Sequence, residues 1–595
     1  MFGNDLCVIK KILQFPMIKV GIVGTGYFGQ KLHQKLQNFT DVVFFTGREL
    51  DIDYNIDWVV IASSTDSHYE LCKLFLNRGV NVFVEKPMTL SYEQSKELVD
   101  LSNKLGVRLY VDDIFLWHPM TRMIEKTKIK NLEFNWNKYG SFNDNIFNNL
   151  TYHDLYLALH FVGDLNPVIR METNRVNEKV FWIGDIKFSY NRVSTQKRKW
   201  ISTNGFKYDY PTNQDPLQMM LTGVLNEKVD FEKNLNTSLK VHKILDELNK
   251  IKSRVAVVGG GIFGITSALK LDDEFEVTLF EKTNDILQGA SSINQYRLHR
   301  GYHYPRSMET AMSAKKGTES FVKEYPCEIS DTKQHYVIAR KNSKVNSSEY
   351  ESFMDTMGLE YSKVKGNLVN EITSENIYLV NETLFDPCKL YEICSNKLKA
   401  SDITILYETE FDFSHIKDYD YVVNCTYSNL NNVYNDEQEY QYEVCEKPVL
   451  KLSEKYKGNG VIVMDGPFMC IDPYSDTNYH VMGNVIEAIH ETNIGKCPIV
   501  SDKLKPLLNK GLIKNPPITK IHKFIEAAKE FLDMDGVEHI GSMFTIRTVL
   551  ANRDHDDARP SIVKKHSQNV YSIFSGKIST AVDTSNELYN YLMKT

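Results

Sequence analysis

The 595-residue sequence has no long apolar run, no basic block and no paired cysteine motif, and each absence removes a class of protein. No stretch reaches the roughly 18 apolar residues that a membrane span requires, and no apolar core followed by a small-residue cleavage site marks a signal peptide. The nine cysteines are scattered and odd in number, without a C-x-x-C pair, so they read as reduced thiols with neither a disulfide framework nor a metal centre. The net charge is -7 and the lysines and arginines are dispersed, which leaves nothing for a phosphate backbone to recognise. The expectation is a cytoplasmic protein with a small-molecule substrate and no nucleic-acid, membrane or metal partner.

What is present is an ordinary globular composition, 42% apolar and 25% charged, in a chain too long for one core. Residues 1–16 precede a second methionine, Met17, and read as an N-terminal extension. From Ile18 the run I-K-V-G-I-V-G-T-G-Y-F-G meets glycines at Gly24, Gly26 and Gly29 between an apolar strand and a helix start. Such a turn brings backbone amides and a helix dipole to a dinucleotide pyrophosphate, with Tyr27 and Phe28 counted among the contacts. A second strand, 42–46, ends without the acidic residue that would accept ribose hydroxyls; Arg48 follows instead. NAD and NADP both stay open, Arg48 being either a 2′-phosphate ligand or a loop residue.

The segment from Trp58 to Pro87 contains Ser64, Thr65, His68, Gly79, Glu85, Lys86 and Pro87 in the register of a strand, a Thr-x-x-His turn, a helix, a strand and Glu-Lys-Pro. It resembles the Gfo/Idh/MocA family of NAD(P)-dependent oxidoreductases. The resemblance implies that Ser64, Thr65, His68 and Glu85 lie at the cofactor, and that Lys86 lies beside the nicotinamide and the substrate hydroxyl. It also matches the family histidine to His153, while Asn149 stands where the family has aspartate four residues earlier. Proton transfer then rests on Lys86 and His153. The alternating strands near 181–190 and 198–210 fit the family's open-sheet domain, through which a homo-oligomer is expected.

At Arg254 the pattern restarts as R-V-A-V-V-G-G-G-I-F-G, with Gly259, Gly261 and Gly264 enclosing Ile262 and Phe263. Here the next strand does end in an acid, Glu281, followed by Lys282, so an unphosphorylated ribose is implied. The following G-A-S-S-I-N-Q-Y-R-L-H-R-G-Y-H-Y resembles the D-amino-acid-oxidase-like superfamily, most closely its L-2-hydroxyglutarate dehydrogenase branch. By that resemblance FAD is the cofactor, Ser291, Ser292 and Asn294 cross it, and His299 is a proton acceptor or a structural histidine. Gln295 and Tyr296 replace a small Ser-Gly pair. Asp386, Pro387 and Asn424 match structural anchors. Arg547 would hold a substrate anion, with Arg297 and Arg559 as seconds, while Ser575, Gly576, Lys577 and Ile578 would line the flavin.

The expected fold is α/β, two Rossmann-type folds in tandem, the first with an α+β open-sheet domain and the second with an inserted mixed-sheet substrate domain. The expected boundaries are 17–120, 121–250 and 251–595, the last divided into FAD-binding parts near 254–333 and 541–595 around a substrate part near 334–540. The functional expectation is a bifunctional oxidoreductase acting on a hydroxy or amino carbon of a small polar metabolite. The alternative is one active half joined to a cofactor-sensing or binding module.

Overall fold

A computed structural model describes residues 17–47, 55–125, 128–139, 145–211, 216–433, 438–475, 477–552 and 559–594. The N-terminal extension and Arg48 lie outside the described residues. Contacts divide the chain at Lys252 and Ser253 into two compact units.

The first unit opens with strand β1 (Lys19–Val23), helix α1 (Tyr27–Leu36), β2 (Asp41–Thr46), β3 (Trp58–Ile61), α2 (Thr65–Asn77), β4 (Asn81–Val84), α3 (Tyr92–Leu105) and β5 (Leu109–Val111). The strands form a parallel sheet in the order β2-β1-β3-β4-β5. The chain leaves β1 toward one side and crosses to the other for β3, which makes the carboxyl end of β1 a topological switch point where ligands collect. The central strands are Val- and Ile-rich and buried on both faces, as a helix-covered parallel sheet requires.

A second sheet follows, built from β6 (Glu133–Asn137), β7 (Ile169–Arg175), β8 (Glu178–Ile183), β9 (Ile186–Asn191), β10 (Arg198–Thr203) and β11 (Phe206–Asp209), in the order β11-β10-β6-β9-β8-β7. Burial alternates along β8 and β10, so one face meets the core. Helices α4 (Pro119–Glu125), α5 (Tyr152–Val162), α6 (Leu217–Leu225) and α7 (Phe231–Asn249) complete the unit. α7 is capped by Asp230 and packs against α3, α5 and β5, joining the nucleotide sheet to α5.

The second unit restarts with β12 (Ser253–Val258), α8 (Ile262–Leu271) and β13 (Phe275–Phe280). Its nucleotide sheet has the order Thr404–Leu406, β13, β12, Tyr421–Asn424, Val570–Phe574 and Ile562–Lys565, parallel except at the last pairing. A mixed nine-stranded sheet carries the rest, with Tyr440–Lys451 paired along its length to Glu538–Leu550. This differs from a single insertion over 334–540. Two strands inside that range, at 404–406 and 421–424, return to the nucleotide sheet, and Glu538–Leu550 belongs to the large sheet. Short apolar runs look alike in either sheet, and only pairing separates them.

Candidate cofactor and active sites

In the first unit the glycine turn is shaped by close approach. Gly24 has φ +119°, and a Cβ there would meet Ala62 O at 2.3 Å, at the carboxyl end of β3. A Cβ on Gly29 would lie 1.8 Å from Gly24 O, so α1 can seat on the turn only with glycine. A Cβ on Gly26 would meet nothing within 4 Å among the described residues. Gly26 is the N-cap of α1, which has no side-chain cap and no acidic residue in its first turn, so the amide end of the helix faces open space suited to a pyrophosphate.

His68 is buried, its Nδ1 3.0 Å from Pro87 O and its Nε2 3.0 Å from Ser63 O. It ties the start of α2, with Ser64 at the N-cap and Thr65 first in the helix, to the Glu-Lys-Pro turn. Burial lowers its pKa, so the neutral ring donates to one carbonyl at a time. Burial, with Asp112 alongside, pushes the Glu85 carboxyl well above the usual carboxylate range.

Lys86 Nζ donates to the main-chain oxygen of Asn149 at 2.7 Å. The i, i+4 helical relation expected of Asn149 and His153 is altered, because Phe147–Thr151 is a π-helical turn and α5 starts only at Tyr152. His153 packs edge-on to Phe115, with centroids 4.8 Å apart, and stacks near Trp136 at 6.2 Å. Burial first, then the charges of Lys86 and Lys199, hold its pKa well below the ordinary histidine value. It is therefore a neutral imidazole able to accept a proton.

The sequence reading missed Lys199 and Asp154. Lys199 is buried on β10, its Nζ 3.1 Å from Asp154 Oδ1 and 3.5 and 3.6 Å from the ring centroids of Phe115 and Trp136. Burial lowers its pKa to about 8 against the pull of Asp154. Asp154 also accepts from Trp136 Nε1 at 2.6 Å and Tyr190 OH at 2.9 Å. In sequence, Lys199 sits in a polar-apolar alternation between Arg198 and Trp200 and looks like a solvated face.

In the second unit Gly259 has φ +108°, and a Cβ on Gly264 would lie 1.8 Å from Gly259 O. Among the described residues beyond its own helix, a Cβ on Gly261 would meet Ser291 Oγ at 3.2 Å. Ser291 Oγ accepts from Ile262 N at 3.0 Å at the start of α8. Glu281 accepts from Gly260 N at 2.7 Å and from Thr283 N at 2.8 Å.

A cavity of about 950 Å³ runs along this turn, a size in the range of cofactor clefts. Gly259, Gly261, Ile262, Phe263, Glu281, Lys282, Ser291, Asn294, His299, Arg547, Gly576, Lys577 and Ile578 line it. Gly264 and Ser292 do not: Gly264 packs beneath the turn and Ser292 donates to Gly289 O at 3.1 Å. Of the bulky pair, Tyr296 turns aside while Gln295 stays on the cavity wall. Tyr296 is buried with its hydroxyl on Ser292 O at 2.7 Å, while Gln295 Nε2 donates to Asp472 at 3.0 Å.

His299 Nδ1 is 3.7 Å from Glu382 Oε2, and its ring is 5.1 Å from that of His303. Arg547 is ion-paired to Glu443, its Nε donating at 2.5 Å. Its fork therefore already holds a carboxylate of this chain. Arg297 pairs with Asp472 at 3.0 Å, and Lys577 Nζ lies 3.7 Å over the Tyr304 ring. A Cβ on Gly576 would strike Arg559 O at 2.0 Å, so a backbone-lined edge to the cavity requires glycine here. The amide end of α8, with Ser291 on Ile262 N, the glycine clearances and the cavity's volume together suit an extended dinucleotide such as FAD.

Fold and sites define an α/β chain with two dinucleotide-binding oxidoreductase domains. Residues 39–113 match the oxidoreductase family with an NAD-binding Rossmann fold, Gfo/Idh/MocA, and residues 254–379 match the FAD-dependent oxidoreductase family, DAO. Among curated proteins the chain is similar to FAD-dependent monooxygenase FPY4 of Fusarium mangiferae, 30% identical over 131 residues, 22% of this chain and 35% of that protein. It is also similar to inositol 2-dehydrogenase/D-chiro-inositol 3-dehydrogenase of Lactiplantibacillus plantarum, 27% identical over 117 residues, 15% of this chain and 33% of that protein. The chain thus spans about a third of each relative. Among solved structures, glycine oxidase from Geobacillus kaustophilus aligns at 14% identity and TM-score 0.44, covering 58% of this chain and 96% of its own. Among the described residues no helix is long and apolar enough to cross a membrane.

Proposed function

We propose that the two domains form a bifunctional oxidoreductase: the FAD-dependent unit oxidises a hydroxy or amino carbon of a small polar metabolite, and the NAD(P)-dependent unit carries out a second redox step on it. The observation that carries this reading is that each unit pairs an open glycine turn with groups whose chemistry suits proton transfer: Lys86 and His153 in one, His299 in the other. A unit kept only to sense a cofactor would need the turn and not these groups.

In the first unit the bound nicotinamide supplies hydride chemistry. The glycine turn holds its diphosphate, Lys86 orients and polarises the reacting oxygen, and neutral His153 takes or returns the proton. The Asn149 carbonyl fixes the Lys86 ammonium; the asparagine side chain is no base. In the second unit the flavin supplies electron transfer. The turn at Gly259–Gly264 and Glu281 hold its adenosine end, Gly576 and Lys577 line it, and His299 accepts the substrate proton with Glu382 behind it.

Purified protein should carry a yellow flavin that bleaches on anaerobic addition of the correct hydroxy or amino acid or acidic sugar, and should turn over NAD or NADP with the product. A colourless preparation that takes up neither nucleotide refutes the proposal. Flavin bleaching with no nicotinamide turnover, unaltered by Lys86→Ala, would favour the sensing alternative for the first unit.

A further inference from the structure

Strand Tyr440–Lys451 sends alternate residues to one face, and Gln441, Glu443, Cys445 and Lys447 all line the cavity of the second unit. On the paired strand Glu538–Leu550, Arg547 stands opposite Glu443 and the two are ion-paired. Arg297, also on the cavity wall, is paired with Asp472. Each arginine thus brings its own carboxylate.

Lys447 does not. Its ammonium makes no hydrogen bond or ion pair among the described residues, and the charged or titratable groups that act on it are Cys445, Cys470, Arg547 and Arg297. Burial pushes both thiols above their ordinary value, so they stay neutral. The groups that act on it most strongly are thus two neutral thiols and two arginines already matched by carboxylates. Lys447 therefore holds a positive charge with no carboxylate partner among the described residues, in a partly desolvated place on the wall. Such a charge is costly until an anion pairs with it.

We infer that Lys447, rather than Arg547, is the residue that binds the carboxylate of the substrate. The inference rests on the flavin reading of this cavity and narrows its substrate to a monoanionic hydroxy or amino acid, or a sugar acid. The Lys447 ammonium suits one carboxylate; a phosphate dianion would need more donors. The cofactor diphosphate has its own partner in the amide end of α8. Glu443 closes the Arg547 fork to a second acid by occupying it and by repelling the newcomer. Burial also lowers the Lys447 pKa.

The test uses the flavin-loaded full chain and benzoate as probe, with benzamide as the uncharged control. Affinity is read by calorimetry and by perturbation of the bound flavin's absorbance. Lys447→Met should weaken benzoate about 10- to 100-fold, the worth of one charge-assisted hydrogen bond. It should leave benzamide affinity and flavin content unchanged. Lys447→Arg should restore benzoate to within a few fold, and Arg547→Met should change it by no more than that. The inference is overturned if Lys447→Met binds benzoate like the wild type, if the wild type prefers benzoate no more than benzamide, or if Arg547→Met alone abolishes binding. Loss of flavin from both Lys447 variants would make the residue a cofactor contact and also overturn it. A colourless wild type removes the flavin reading itself, which separates that failure from this one.

Discussion

The two glycine turns share one backbone solution and diverge one strand later. In both, the third glycine is compelled by a carbonyl 1.8 Å from where its Cβ would lie, Gly24 O against Gly29 and Gly259 O against Gly264. Both helices begin with a glycine N-cap that has no side chain to cap them, although in α8 Ser291 reaches Ile262 N. Past β2, however, the first unit has Thr46 and Gly47, whereas past β13 the second has Glu281 bonded to Gly260 N. The turn recognises a diphosphate that any dinucleotide offers, and the residue closing the next strand selects among riboses. The histidines proposed to handle the proton differ in their surroundings too. The first unit keeps His153 neutral by surrounding it with lysines and aromatics, while the second places a buried carboxylate, Glu382, behind His299.

The sharpest way to break this comparison is to add a methyl group at either third glycine. Gly29→Ala and Gly264→Ala each force a backbone shift costing at least about 1–3 kcal/mol. Each should abolish dinucleotide uptake in its own unit and spare the other, as read by flavin absorbance and NAD(P)H titration. Gly26→Ala, with open space around it, should fold normally and lose nucleotide affinity alone. Next in size, Lys86→Ala should lower nicotinamide turnover by roughly 10²–10⁴ while flavin bleaching is unchanged.

Lys199→Met comes third. It leaves Asp154 buried without its cation, at a cost of about 3–5 kcal/mol in the stability of the first unit, measurable by denaturant unfolding. With one positive neighbour gone, the His153 pKa rises, so the acid limb of the nicotinamide pH profile moves to higher pH. In the wild type that pKa is lowered in the fold. His153 therefore contributes nothing to stability above its unfolded value near 6.5, and stability falls as pH drops below it, because only the unfolded chain takes the proton there. A stability that rose on acidification through that window would contradict the neutral-imidazole assignment. Smallest, Glu281→Gln should weaken FAD about 10- to 100-fold with no effect on nicotinamide binding. An equal effect on both nucleotides would erase the difference between the turns.

Both dinucleotide turns were legible because local chain geometry dictates them, whereas Lys86 and His153 were singled out only by the family resemblance. A turn that needs positive φ and clearance from a carbonyl leaves glycines at fixed spacing. Lys199 was not legible. Nothing in an alternating strand says that its polar residue will be roofed by Phe115 and Trp136 and paired with Asp154. By the family resemblance Arg547 was expected to hold a substrate anion, but its partner Glu443 lies 104 residues away. Only the pairing of two long strands showed that its charge is already matched.

By itself, the sequence determined that two nucleotide folds follow one another and which residues form their turns, since backbone sterics and helix amides act over a dozen neighbouring residues. Tertiary structure alone decided which charges are left unmatched at each site. Burial and ion pairing depend on residues brought together from distant strands, and no local pattern records them.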